Sequence, residues 1–256
     1  MKHILCTLLL ALTAHAADMQ LNLLIEPGAF RPGHFSTPAP SEAARTTAHS
    51  HTEQIQRSIS MGLASHTERL AAEQAALYAD MRLSKGKHST ELLRKLADKS
   101  RELQDILALQ TKEGVVPARH SLAAQVKAAY YTAALQQDAA SAKELQQAAE
   151  AYRQEVEKCY NSGLTDRTEL LLAEITVQEA TLLNSKGANA ATTQQKYDEL
   201  AELLNARART GMAPTAPAEQ AAEASRLFAR EWARYRLLKA TQNASRPPIS
   251  RKGRFR

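Results

Sequence analysis

Apolar side chains recur three and four residues apart along most of this chain, the spacing that gathers them on one face of a helix. Between about Ser89 and Thr111, Leu92, Leu96, Leu103, Ile106 and Leu107 share such a face. Two longer segments follow, about Ala118 to Asn161 and Thr165 to Arg209. The first carries Ala124, Ala128, Tyr131, Leu135, Ala142, Leu145, Ala149, Tyr152, Val156 and Cys159 in alternating three-and-four steps broken only at Asp138. This predicts a heptad seam whose small residues let helices approach closely. The second carries Leu170, Ala173, Val177 and Ala180, then Tyr197, Leu200 and Leu204, with a polar stretch from Asn184 to Gln195 that contains Gly187. At about 44 residues apiece, the two predict matched helices about 66 Å long.

Breaks in the pattern supply the organisation. Helical spacing runs from Glu53 to Ser84, Gly86 precedes the Ser89 helix, and Gly114-Val115-Val116-Pro117 ends it, since proline is tolerated again only in a first turn. In YNSGLTDRTELLLAE, Gly163 can take the left-handed conformation that closes a helix, Thr165 or Asp166 can cap the next, and Glu169 favours its dipole. A short connection between equal helices predicts antiparallel neighbours. The expected fold is therefore all-α, a long antiparallel hairpin over 118–209 with its tip at 162–168, in an elongated helical domain over 53–242. A last helix, about Ala218 to Gln242, holds Leu227, Phe228, Trp232, Tyr235 and Leu238. Gly114, Gly163 and Gly211 lie 49 and 48 residues apart, a spacing that raises a repeated unit.

Outside that domain the pattern fails. MQLNLLI, Met19 to Ile25, suits one short strand, and Pro27, Gly28, Pro32, Gly33, Pro38 and Pro40 then predict a linker within 17–52. RPPISRKGRFR closes a basic segment, 243–256, expected to be disordered. The start, MKHILCTLLLALTAHAADMQ, has a basic end, a short apolar run and Ala14-His15-Ala16, which predicts a signal peptide over 1–16 and hence an exported, periplasmic protein. Without that leader Cys159 is the one remaining cysteine, so stability must come from packing rather than an internal disulfide. The formal charge of +6 is modest for 256 residues and demands no nucleic acid.

AAYYTAALQQDAASAKELQQAAEAYRQEVEKCYNSGL, followed by LTDRTELLLAEITVQEATLL and LLNARARTG, resembles the TolC-like outer-membrane efflux proteins over about Leu122 to Gly211. The family's descending helix begins near A-Y-[YF], reaches a Y-x-x-G-L tip and returns on a helix ending in L…G. With one convincing hairpin and at most one candidate strand, the chain reads as a shortened relative. The resemblance implies a homo-oligomer, a trimer in the family, that acts in transport at the cell outer membrane. It also implies that the tip, Gly163, Leu164, Thr165, Asp166 and Arg167, contacts a periplasmic adaptor working with an inner-membrane pump. A free-standing periplasmic coiled-coil scaffold or envelope spacer is the alternative.

Catalytic chemistry finds little purchase. Gly86-Lys87-His88-Ser89 echoes the end of a phosphate loop without its glycine-rich approach. No nucleophile elbow or zinc-protease histidine pair occurs. His49 and His51 in AHSHTE could put two imidazoles on a metal, but they fall in the predicted linker with no third positioned ligand. Neither metal nor cofactor is expected, nor an enzyme. Cys159 and the Tyr130-Tyr131 pair suit packing.

Overall fold

The computed structural model describes residues 42–233, apart from 84–88, 137, 186–188 and, in the last segment, 213–214, 216–217, 220, 227 and 231–232. The expected signal peptide, the expected Met19–Ile25 strand, most of Gly86-Lys87-His88-Ser89 and the basic tail lie outside the described residues. All regular structure described is α-helical: α1 Glu42–Ser60, α2 His66–Leu83, α3 Ser89–Lys112, α4 Ala118–Gln136, α5 Ala139–Asn161, α6 Arg167–Ser185 and α7 Ala190–Arg209. Further helical residues follow within 215–233. Each helix packs its backbone against the one before and the one after it.

The two helices expected to run about 66 Å are each folded in half. Arg119, at the start of α4, places Nη1 3.9 Å from Cys159 Sγ at the end of α5. On one straight helix those residues would lie about 60 Å apart. Asp138 makes the fold-back: its backbone is extended, and its side chain accepts a hydrogen bond from the Ser141 N–H at 2.8 Å, capping α5. Of the expected seam, Tyr131 on α4 and Leu145, Ala149, Tyr152 and Val156 on α5 share one core. The second long segment breaks likewise. Arg207 at the end of α7 donates to Asp166 at 2.5 Å, and Asn189 Nδ2 to the Gln178 side-chain oxygen at 2.7 Å.

Burial explains why packing overrides the local preference for a long helix. In α4 the run Val126 to Ala134 is buried without interruption, so the helix is covered from several sides. Folding back supplies those covers. On α6, Leu170, Ala173, Val177 and Ala180 join the core of α4 and α5. Leu171, Leu172 and Ile175 meet Tyr197 and Leu200 of α7 and Phe228 beyond it. Tyr197 and Phe228 stack at 5.1 Å between centroids, and Tyr130 meets Tyr131 edge-on at 5.4 Å.

Two further corrections concern the N-terminal part. The predicted linker ends too late, because α1 already begins at Glu42; from position 41 to 61 no proline or glycine interrupts the chain. The helix expected over Glu53 to Ser84 is two helices with Gly62 between them.

Candidate functional site

Four helix ends share one construction. At each, a glycine takes a positive φ, near +70° at Gly62, Gly114, Gly163 and Gly211. The amide after each glycine donates to the carbonyl five residues back: Leu63 to Ser58, Val115 to Gln110, Leu164 to Cys159 and Met212 to Arg207, at 2.8–2.9 Å. The glycine amide itself donates to the carbonyl three back. This is the Schellman closure, and it requires the left-handed backbone that a β-carbon resists. After it, Ser65 and Glu68 form a reciprocal capping box, and Asp166 accepts from the Glu169 N–H at 3.1 Å.

Because successive helices run antiparallel, all four turns lie at one edge of the array. Side chains tie them together: Arg119 reaches Glu169 at 3.3 Å, joining the Gly114 and Gly163 turns, and Arg207 reaches Asp166, joining Gly163 to Gly211. Burial raises the Asp166 carboxyl, but the Arg207 guanidinium and the N–H groups of Glu169 and Thr168 outweigh it and hold the group below its usual value.

Each glycine is followed by an aliphatic side chain that the fold leaves in solvent. Leu63 is 74% exposed, Val115 67%, Leu164 69% and Met212 75%. Met61, Leu109 and Tyr160 are exposed too. All seven large hydrophobic residues exposed among the described residues therefore lie within five positions of a turn glycine. Of the five expected tip residues, Gly163 closes the helix and Leu164 stands free. Thr165 donates to Glu169, Asp166 is held by Arg207, and Arg167 donates to Glu199 at 2.6 Å. Leu63, Val115 and Met212 complete the row; the recurring glycine-plus-aliphatic pair was their signal in the sequence.

The edge belongs to a duplicated framework. Gly62-Leu63 and Gly163-Leu164 begin GLASHTERLAAE and GLTDRTELLLAE, which agree at Gly, Leu, Thr, Glu, Leu, Ala and Glu. The two final glutamates do the same work. Lys99 bridges Glu73 at 2.9 Å and Glu102 at 3.3 Å, with His66 on Glu102 at 3.1 Å. Lys196 bridges Glu174 at 2.8 Å and Glu199 at 3.4 Å, with Arg167 on Glu199. Ten residues after each turn glycine stands a buried alanine, Ala72, Ala124, Ala173 and Ala221, where helices approach closely. The ion network occurs between α2 and α3 and again between α6 and α7, so the repeating unit is four helices, two hairpins at a time.

Other candidate chemistry takes its place around this framework. His49 and His51 sit on α1, two residues apart and so on different sides of the helix. His49 Nε2 lies 3.0 Å from Asp80, which also holds Arg45 at 2.7 Å. Among the described residues no group of three or more His, Cys, Asp or Glu is placed to hold a metal. Glu179 accepts from the Tyr197 hydroxyl at 2.5 Å, and burial pushes its carboxyl up to about 8. Lys127 on α4 is buried, which depresses its ammonium to about 7.

No family model, curated protein or solved structure matches the chain.

Proposed function

We propose that this chain is a non-enzymatic, exported helical scaffold of the cell envelope that docks through its glycine-turn edge. The observation that carries the reading is the gathering of every exposed large hydrophobic residue described at that edge. Single exposed leucines are ordinary on a protein surface, but a row of them along one edge marks an interaction site. Export rests on the leader sequence alone.

Helix length favours a scaffold over a tunnel wall. The helices have 18 to 24 residues, so the hairpins reach about 27–36 Å, about half of what a hairpin over 118–209 would span. In the TolC-like reading the exposed Leu164 would be the adaptor contact of a transport component. In the scaffold reading Leu164 is one of four equivalent contacts.

A photo-crosslinking residue placed at position 63 or 164, with one at the exposed Gln147 of α5 as control, tests this in intact cell envelopes. Adducts at 63 and 164 but not at 147 are expected. Equal yield at all three positions would remove the docking role of the edge.

A further inference from the structure

The charges of the docking edge point to what it meets, an inference that rests on the docking reading above. Every described helix that ends at this edge carries a basic residue in its last turn: Arg57 on α1, Lys112 on α3, Lys158 on α5, and Arg207 with Arg209 on α7. Of the three helices that end at the opposite edge, α4 and α6 carry none in their last turns, while α2 has Arg82. A helix dipole favours cations at any C-terminus. It does not by itself give every described helix end at this edge a cation when two of the three at the other edge lack one.

Three acids near the turns are engaged within the protein, while Glu113 beside Gly114 is exposed. Glu68 closes the capping box, Glu169 holds Arg119, and Asp166 holds Arg207. Of the cations, Arg57, Lys112, Lys158 and Arg209 are exposed. The edge thus alternates exposed aliphatic side chains with exposed cations. That is the composition of an interfacial surface, where apolar groups enter the boundary of the acyl chains and basic groups meet lipid phosphates.

We propose that the glycine-turn edge rests on an anionic lipid surface. The side chains at the equivalent positions are Leu63, Val115, Leu164 and Met212, which differ in shape. A protein acceptor selects shape with packed pockets, whereas a fluid bilayer boundary accepts any of the four. No described helix is long and apolar enough to cross a membrane, so the contact is made by the turns.

The test is co-sedimentation of the full chain with vesicles of phosphatidylcholine alone or of phosphatidylcholine mixed with phosphatidylglycerol. Binding to the anionic vesicles that weakens with salt is expected. The triple variant Lys112→Gln/Lys158→Gln/Arg209→Gln should lower the partition coefficient about a hundredfold, at about fivefold per basic residue. Leu63→Ser/Leu164→Ser/Met212→Ser should also lower it, with the melting temperature of both variants held near wild type. The leader sequence is apolar and the tail basic, so Leu8→Asp/Leu9→Asp and Arg251→Gln/Lys252→Gln/Arg254→Gln serve as controls in which the effect of the edge substitutions must persist. Edge variants that bind anionic vesicles as wild type does would overturn the inference, as would equal binding to neutral vesicles. Crosslinks from 63 and 164 to protein but never to lipid would overturn it while leaving the docking reading intact; no adducts at either position would remove both.

Discussion

Replacing Lys127 by methionine should stabilise this protein, and the gain should vanish in alkali. Lys127 is 7% exposed, between Val126 and Ala128 in the interior of α4. Burial alone depresses its ammonium from 10.5 to about 7. At 1.36 kcal/mol per pKa unit, holding that charge in the fold at neutral pH costs about 5 kcal/mol as an upper bound. Replacing buried charge by a well-packed apolar side chain of similar volume returns about 1–4 kcal/mol. For a chain of this size that raises the melting temperature by about 2–4 °C per kcal/mol. The sign with pH follows from linkage. The folded value lies below the unfolded one, so between about 7 and 10.5 the unfolded chain binds more protons and stability rises with pH. Below 7 both states are protonated and the penalty is complete. Urea unfolding of wild type and Lys127→Met at pH 6, 8 and 10 reads this directly. The variant should be more stable at pH 6 and converge on wild type by pH 10. A variant less stable than wild type at pH 6, with a difference independent of pH, would refute the placement of this lysine in a dry interior.

Other outcomes follow from the turns and ion networks. Gly163→Val should lower stability by about 1–2 kcal/mol or more, because a β-branched residue resists φ +70°. Leu164→Ser should change stability by less than about 0.5 kcal/mol, and thermal melting of the two variants side by side checks both. Lys99→Ala and Lys196→Ala, in duplicate networks, should each cost about 1 kcal/mol and add in the double variant, since the sites share no partner. Asp166 is held below its usual value when folded, so it stabilises above the unfolded pKa and that contribution is lost as pH falls through the folded one. The stability difference between wild type and Asp166→Asn should therefore shrink on acidification, as pH-dependent melting will show.

The all-helical class and the helix α3 were legible because apolar spacing and a glycine stop agree there: Ser89 to Thr111 was expected and Ser89–Lys112 observed. The turn at Gly163, with its capping Asp166 and exposed Leu164, was legible for the same reason. The fold-back at Asp138 was not. It contains neither glycine nor proline, and the seam continues in register through it from Leu135 to Ala142. What turns the chain is long-range burial of α4 on more than one side, which no local pattern encodes. A hint survives in Asp138 followed by Ser141, a capping pair set inside an otherwise regular seam. The edge itself was half visible. Three of its glycines stood out by spacing, while Gly62 was hidden in a segment whose periodicity reads straight through it. The ion networks were invisible, because each joins residues from two helices whose pairing only the fold-back determines.

The docking edge exists only if the chain turns back between each pair of glycine turns, and one distance decides that. Spin labels at Val115 and Leu164, introduced as cysteines in a chain with Cys6 and Cys159 changed to serine, report it by pulsed electron paramagnetic resonance. In the folded array these residues share an edge across α4, α5 and α6, and at about 8–10 Å between packed helices their separation should be about 20 Å. On a continuous helix from Ala118 to Asn161 it would be about 66 Å or more. A distribution centred near the shorter distance is the predicted result; one near the longer would contradict the array, and with it the edge.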